Sequence, residues 1–322
     1  MMNKFWAALV MGVALLNPNI ASAASCCGGG ASSSLIMPKI ADYMLDISLG
    51  MEQYNGYWNR AGKYIEDPPG SDLNQYRLNL GFAKRLSSRL QGSISIPYVW
   101  NDNEYTGTSS STNGLGDASI NLWYENFDDV TCTYKVTSLA DLIPAVYFGA
   151  SLLVPTGISP YDDVENSFDV TGRGFYRLDG TANMEKTIYP VSITLAYTYG
   201  IYFERPVNRE YGEYKEPYHA DLGDRKLLSL SLGYTHNLKS MDTLTVTGAF
   251  ADLQEDAGTI DDVTNDTTGF NKKTASLTVA HSKLNRSRIF KLSWNHSFPD
   301  DDWGENFPST DILTIGVSYV YQ

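Results

Sequence analysis

The stretch Val191-Ser-Ile-Thr-Leu-Ala-Tyr-Thr-Tyr-Gly-Ile-Tyr202 alternates large apolar or aromatic side chains with small or hydroxyl-bearing ones. Successive side chains of a β-strand point to opposite faces, so this pattern predicts a strand with two different surroundings. Neither face carries a charged residue, unlike the outer face of a strand that borders bulk water. Such a strand is typical of a barrel wall that has lipid on one side and a polar interior on the other.

Eleven further segments alternate in a comparable way, which gives twelve predicted strands. They are residues 42–55, 73–83, 89–99, 116–124, 144–154, 174–186, 191–202, 225–238, 243–254, 273–282, 288–298 and 311–321. Most have 9 to 13 residues, close to the roughly 9 to 11 with which a tilted strand crosses a bilayer. The even number suits a closed antiparallel barrel.

The predicted connections alternate in length. Those after odd-numbered strands are long (56–72, 100–115, 155–173, 203–224, 255–272 and 299–310), whereas those after even-numbered strands have four or five residues, except 125–143. A soluble β-sandwich has no reason to sort its loops in this way. We therefore predict an all-β, antiparallel up-and-down transmembrane barrel of about 12 strands over residues 42–322, located in the bacterial outer membrane with both termini on the periplasmic side.

Charge follows the same division. The chain has 24 Lys plus Arg and 37 Asp plus Glu, a formal net charge of −13. The six long connections contain 7 basic and 24 acidic residues, or −17, and the rest of the chain carries +4. The acidic balance argues against nucleic acid as a partner, since phosphate binding needs clustered Lys and Arg. One rim of the barrel should instead repel anions and enrich cations at low salt.

The first 41 residues differ from the rest. Residues 1–23 combine one lysine, a 12-residue apolar run and Ala21-Ser22-Ala23, which predicts a secretory signal peptide. A lipoprotein acylated at Cys26 is the alternative. Residues 24–41, rich in Cys, Gly and Ser, should form a flexible periplasmic segment. Cys26, Cys27 and Cys132 offer neither zinc nor haem spacing, so we expect no metal and no cofactor.

The non-apolar faces of the predicted strands identify candidate lumen-lining residues. Those with charged or amide side chains are Asp46, Glu52, Arg77, Gln91, Arg177, Asp179, Glu185 and Lys291. Both signs occur, so no strong ion selectivity follows. Eight strands fill their own interior and 16 or more leave a wide channel. Twelve should leave a narrow passage, which a loop or residues 26–41 could partly block.

Aromatic residues near the strand ends predict girdles at the two membrane interfaces. They are Tyr98, Trp100, Tyr124, Tyr202, Phe203, Trp303 and Phe307. The chain ends Thr314-Ile-Gly-Val-Ser-Tyr-Val-Tyr-Gln322, which resembles the terminal signal that the barrel-assembly machinery reads in outer-membrane proteins. Outer-membrane lipids and that machinery are therefore expected partners.

Residues 92–186 carry a second resemblance. The segments Gly92-Ser-Ile-Ser-Ile-Pro97-Tyr-Val, Gly114-Leu-Gly116-Asp117-Ala-Ser-Ile-Asn-Leu-Trp-Tyr124, Leu152-Leu-Val-Pro155-Thr156-Gly157 and Thr171-Gly-Arg-Gly174 are similar to a pattern in outer-membrane transporters named for the meta-pathway of phenol degradation. That resemblance implies a porin-like channel for small, often aromatic or hydrophobic, compounds.

The motif residues also have physical roles of their own. Gly114 and Gly116 can adopt positive φ where a loop returns to a strand, and Asp117 can accept hydrogen bonds from neighbouring backbone amides. Pro155 and Gly157 mark the point where a strand ladder stops, because proline lacks a donor.

Three classes of function remain. The first is a channel for passive passage of small solutes. The second is a barrel that docks a periplasmic redox protein such as a multihaem cytochrome, with Cys26, Cys27 and the turn 125–143 at the contact. The third, an enzyme, is not expected: in His281-Ser282 and His296-Ser297 the histidine and serine side chains would point to opposite faces of a strand.

Overall fold

The computed structural model describes residues 35–39, 41–126, 133–285 and 287–322. Its strands are β1 (Tyr43–Trp58), β2 (Tyr64–Glu66), β3 (Asp72–Arg85), β4 (Leu90–Tyr105), β5 (Thr108–Leu115), β6 (Ala118–Glu125), β7 (Ala145–Val154), β8 (Arg177–Ile188), β9 (Val191–Tyr202), β10 (Arg205–Glu210), β11 (Glu213–Asp221), β12 (Arg225–Asn237), β13 (Thr243–Glu255), β14 (Gly258–Ile260), β15 (Val263–Asn265), β16 (Phe270–Ser282), β17 (Arg288–His296), β18 (Gly304–Glu305) and β19 (Phe307–Tyr321). Two short 3-10 helices cover Leu139–Leu142 and Ser167–Asp169. Within these described ranges, no helix is long and apolar enough to cross a membrane.

Twelve of these strands form one closed antiparallel barrel. Their order is β13-β12-β9-β8-β7-β6-β4-β3-β1-β19-β17-β16, and β13 pairs with β16 to close the ring. The first and last strands lie side by side, with Tyr43 opposite Tyr321 and Asp46 opposite Ser318. The twelve-stranded barrel predicted from alternation is confirmed.

The outer surface of the barrel is apolar. Leu195, Leu230 and Phe250 are cross-strand neighbours on three adjacent strands, and Leu230 and Phe250 are 48% and 42% exposed. The intervening Ser229 and Ser231 lie on the inner face and are less exposed. Alternation in the sequence therefore becomes a continuous hydrocarbon-facing surface outside and a small, hydroxyl-lined surface inside.

The two ends of the barrel differ, as predicted. At one end, which we call the turn end, strands are joined by residues 86–89, 189–190, 238–242 and 283–287, and the longer turn 126–144 also lies there. In that longer turn the Asp141 carboxylate accepts N–H bonds from Thr137 and Ser138. These bonds lower the pKa of Asp141 to about 2. Residues 127–132 lie outside the described part of the chain.

The opposite end, the loop end, contains more strand than the sequence predicts. Strand β4 continues to Tyr105 and pairs with β5, and β10, β11, β14 and β15 form a separate four-stranded sheet. The ranges 100–115, 203–224 and 255–272 were predicted as loops because their residues lack an apolar face. Backbone pairing at a water-exposed end does not need one, since polar side chains can flank a ladder on both faces.

We expect Leu230→Lys to lower the free energy of unfolding by about 2 to 4 kcal/mol, because it places an ammonium group on the lipid-facing surface near the middle of β12. Ser231→Lys, one residue further on, places the same group on the inner face and should cost about 1 kcal/mol or less. Urea titration in lipid vesicles, followed by tryptophan fluorescence, measures both. Equal losses would contradict the assigned faces.

Candidate functional site

The loop between β7 and β8, residues 155–176, is anchored by one carboxylate, and we call it the anchored loop. Asp117 Oδ1 accepts a hydrogen bond from the Gly157 amide at 3.1 Å, and Asp117 Oδ2 accepts one from the Arg173 amide at 2.7 Å. Burial raises the pKa of Asp117, while these two amides and the nearby arginines lower it in part. One side chain therefore holds both ends of the loop.

Two threonine hydroxyls join the same loop to the chain between the end of β5 and the start of β6. Thr156 Oγ1 accepts the Ala118 amide at 3.1 Å and donates to the Gly116 carbonyl at 2.6 Å. Thr171 Oγ1 accepts the Ile158 amide at 2.8 Å and donates to the Leu115 carbonyl at 2.6 Å. The motif segments that are separate in the sequence thus form a single hydrogen-bonded junction.

Glycines make this junction possible because they leave space. A Cβ on Gly116 would lie 2.9 Å from Pro97 Cγ, and a Cβ on Gly157 would lie 2.7 Å from Gly172 Cα. A Cβ on Gly114 would meet Ile158 Cδ1 at 3.1 Å. The positive φ angles predicted for Gly114 and Gly116 are wrong: the positive-φ glycines of the described chain are elsewhere. Close packing against neighbouring side chains and, at Gly157, against the Gly172 backbone accounts for these glycines, and turn geometry does not.

The anchored loop lies inside the barrel mouth. The Asn101 and Asn103 side chains, on the inner face of β4, donate hydrogen bonds to the carbonyls of Val170 and Phe168 at 3.1 and 3.0 Å. Both asparagines are 3% exposed. The loop backbone therefore packs directly against the inner wall formed by β4.

Arg173 carries the same loop to the opposite wall. Its guanidinium donates to both carboxylate oxygens of Glu255, at 2.8 and 2.7 Å, and the Glu255 side chain is 2% exposed. Glu255 ends β13, which is six strands away from β4 in either direction around the ring. The anchored loop therefore bridges opposite sides of the lumen at the loop end.

A second ion pair lies beside the first. Arg177 donates to both carboxylate oxygens of Asp179 at 2.7 and 3.0 Å, and a Cβ on Gly200 of the neighbouring strand would collide with Asp179 Oδ1. The Tyr202 hydroxyl accepts from Arg173 and Arg177 at 3.2 and 3.0 Å. It donates to Glu255 Oε2 at 3.1 Å. The two pairs thus share one phenol.

Arg225 completes the group that we call the interior cluster: Arg173, Arg177, Asp179, Tyr202, Arg225 and Glu255. Arg225 lies opposite Gly200 on one side and Glu255 on the other, close enough to Tyr202 and Arg177 to interact with both. The Asp117 carboxylate also lies close enough to Arg173 and Arg177 for electrostatic attraction. Three guanidiniums and three carboxylates therefore meet at the mouth, in balance.

Sequence reasoning assigned several of these residues elsewhere. Tyr202, predicted in an aromatic girdle, is 6% exposed and hydrogen-bonds inside the barrel. Arg173, Glu255 and Lys272 were counted with the acidic loops, but Glu255 and Lys272 lie within strands that extend further than the alternation indicated. Lys272 is 8% exposed and donates to Thr310 Oγ1 at 2.6 Å. The bulky Phe270 and Glu255 at the strand ends gave no alternation signal.

The eight predicted lumen residues lie on the inner strand faces in two groups. Asp46, Gln91, Glu185 and Lys291 lie toward the turn end, and Glu52, Arg77, Arg177 and Asp179 lie toward the loop end. Asp46 accepts a hydrogen bond from Ser318 and lies 3.5 Å from Lys291 Nζ. Arg77 donates to Gln75 Oε1 at 2.6 Å. Their contact with a passing solute stays a prediction.

Other sequence candidates are less informative here. Cys26, Cys27 and Cys132 lie outside the described residues, so the redox contact stays a prediction. His281 Nε2 lies 3.4 Å from Asp242, and His296 Nδ1 lies 2.7 Å from Asp311. Across the described ranges, no group of three or more His, Cys, Asp or Glu side chains is placed to hold a metal ion.

The described strands thus form a closed barrel whose mouth is crossed by the anchored loop. No protein-family model and no curated protein matches the sequence. Among solved structures, the COG4313 outer membrane channel from Pseudomonas putida F1 superposes with a TM-score of 0.65 at 12% identity, covering 89% of this chain and 97% of that one. The chain therefore has the fold of an outer-membrane β-barrel channel.

Two other barrels superpose less closely. The β domain of the Bordetella autotransporter BrkA gives a TM-score of 0.48 at 10% identity, covering 87% of this chain and 100% of that one. The translocator domain of the autotransporter NalP from Neisseria meningitidis gives 0.46 at 8% identity, covering 87% and 89%.

Asp117→Ala should release the anchored loop, because it leaves the Gly157 and Arg173 amides without their acceptor, at about 1 to 3 kcal/mol for each buried donor. We expect faster trypsin cleavage after Arg173, identified by mass spectrometry of the folded protein. Asp266→Ala, at an exposed position in another loop, is the matched control and should cleave like the unaltered chain. Unchanged cleavage in Asp117→Ala would show that the anchor lies elsewhere.

Gly200→Ala should destabilise the barrel by about 1 to 3 kcal/mol, because the added methyl group displaces the Arg177–Asp179 pair. Gly180→Ala, on the adjacent strand, adds a methyl group with nothing within 4 Å and should change stability little. Urea midpoints in vesicles compare the two variants. If neither variant changes the urea midpoint, the Arg177–Asp179 ion pair does not depend on the space above Gly200.

Proposed function

We propose that the protein is an outer-membrane channel for the passive passage of small solutes. The observation that carries this proposal is the anchored loop, which spans the mouth of a closed barrel and is pinned to opposite walls by Asn101 and Arg173. A loop that folds inward and narrows a wide mouth suits a channel that selects among solutes. It is unnecessary in a barrel that serves only as a membrane anchor.

The inner surface supports passage of hydrated solutes. Hydroxyl groups face each other across neighbouring strands in the pairs Thr181–Thr198 (2.9 Å) and Thr278–Ser293 (3.0 Å). Such short polar side chains take up little of the lumen and can exchange their hydrogen bonds with water. Twelve strands enclose more space than the eight that fill a barrel with side chains alone.

We extend the proposal to the class of solute that the channel passes. The resemblance of residues 92–186 to the phenol meta-pathway transporters favours small aromatic or hydrophobic compounds. The motif residues that carry the resemblance, from Pro97 to Gly157, meet in the junction that positions the anchored loop. Those residues would therefore set the shape of the constriction rather than touch the solute.

The outer rim would act as a first filter. With the loop end facing the cell exterior, the acidic loops lie at the entrance, where they would enrich cations and repel anions within a Debye length of about 10 Å at 0.1 M salt. The interior cluster behind them is balanced in charge once Asp117 is counted with it. Neutral aromatic solutes would pass both regions without an electrostatic penalty.

Planar-bilayer conductance and a proteoliposome panel of neutral aromatic, cationic and anionic solutes test the proposal. The unaltered protein should conduct and take up the neutral aromatic and cationic solutes faster than anionic ones. Arg173→Ala should raise conductance by about twofold, because the loop loses its hold on the β13 wall.

Lys215→Ala is the matched control, since Lys215 pairs with the exposed Glu213 at 2.9 Å and both residues lie in β11. It should leave conductance unchanged. A protein that folds into vesicles but shows neither conductance nor uptake would contradict the channel proposal.

A further inference from the structure

Residues 35–39 and 41, which we call the inner segment, lie inside the turn end of the barrel. Met37 is 4% exposed and Ala41 is fully buried, and both pack with Met44, Ala83 and Val320 in one apolar cluster. Met44, Ala83 and Val320 lie on the inner faces of β1, β3 and β19. The inner segment therefore occupies space that the lumen would otherwise have.

The inner segment runs from the turn end into the barrel. Residue 41 lies two positions before the first residue of β1, and the amide of Asp42 between them donates to the carbonyl of Tyr321 at the barrel end. Leu35 reaches further, because its two Cδ atoms lie 3.2 Å from the Cβ position of Gly81, which is opposite Asp46. Leu35 thus lies at the depth of the fourth residue of β1.

Polar contacts to three strands hold the inner segment. The Met37 amide donates to Gln91 Oε1 at 2.8 Å, and Arg85 donates to the carbonyls of Ala41 and Pro38 at 2.9 and 3.0 Å. Lys39 Nζ lies 3.2 Å from Glu125 Oε1, with the two side chains 12% and 7% exposed. Together with the apolar cluster, the segment contacts the wall from β17 round to β6.

The Lys39–Glu125 pair differs from the other contacts because both of its charges are buried. Separating such a pair leaves a carboxylate without compensation in a poorly solvated place, and here a second carboxylate, Glu185, lies near Glu125. Reversal of the charge on Lys39 therefore turns attraction into repulsion without altering the barrel wall.

The attachment of the inner segment is weak compared with that of a strand. Each barrel strand is paired with a neighbouring strand on both sides, such as β1 between β19 and β3. Among the described residues, the inner segment is attached through the Lys39–Glu125 pair, the hydrogen bonds to Gln91 and Arg85, and the apolar cluster. Elements that are held by few contacts of this kind detach at a lower free-energy cost than the scaffold around them.

We propose that the inner segment is a displaceable stopper at the turn end of the channel, latched by the Lys39–Glu125 pair. The inference rests on the proposed channel function and adds a second constriction to it. The anchored loop narrows the passage at one end, where Asp117, Asn101 and the Arg173–Glu255 pair hold it. The stopper closes the other end and can leave.

The test is a charge reversal and a charge swap, made in a background with the native cysteines changed to serine and with Met37→Cys as a reporter. Lys39→Glu should speed labelling of the reporter by a water-soluble maleimide by about tenfold, because opening becomes more frequent. Lys39→Glu combined with Glu125→Lys should restore slow labelling. Lys135→Glu, at an exposed position in the 126–144 turn, is the control for the charge change alone.

Bilayer conductance of the same variants, measured without the Met37→Cys reporter, distinguishes failure of the stopper proposal from failure of the channel proposal. Conductance should rise in Lys39→Glu and return in the swapped pair. If the unaltered protein conducts and all variants label and conduct alike, the stopper is wrong while the channel stands. If no variant conducts but labelling follows the charges, the segment is latched as described and the channel proposal fails.

Discussion

The bilayer interior offers no water to a peptide group, so every N–H and C=O of a membrane-crossing strand must find a partner within the protein. This single requirement organises the molecule. It forces the twelve strands into a ring without free edges, closed by the β13–β16 and β1–β19 pairs. It also leaves the loop end free to vary, since water there can satisfy a backbone that the barrel does not.

The strands could be predicted because the lipid boundary leaves a mark in the sequence. Leu195, Leu230 and Phe250 must be apolar on one face, while Thr194 and Ser231 need only be small on the other. The interior cluster left no such mark. Glu255 and Tyr202 stand at strand ends, where alternation stops being enforced, and their partners are up to 82 residues away in the chain.

The motif glycines show a different reason why sequence reasoning fell short. A glycine in a sequence can meet either of two requirements: a backbone conformation that other residues rarely adopt, or a position with no room for a side chain. The sequence alone does not distinguish the two. At Gly116 and Gly157 the need is spatial: two chain segments pass with no room for a methyl group. Only the folded loop reveals which neighbour, Pro97 or Gly172, excludes the side chain. The sequence resemblance identified these glycines, and the packing of the folded loop explains why they are glycines.

The seam between the first and last strands has a consequence for biosynthesis. Val320, two residues from the end of the chain, both pairs with Met44 across the seam and contributes to the apolar cluster around Met37. A nascent chain that lacks its last strand would thus expose two sheet edges and an uncovered apolar segment together. Addition of β19 conceals all of these at once, so a chain without that strand would differ sharply from a finished one in its exposure to chaperones and proteases.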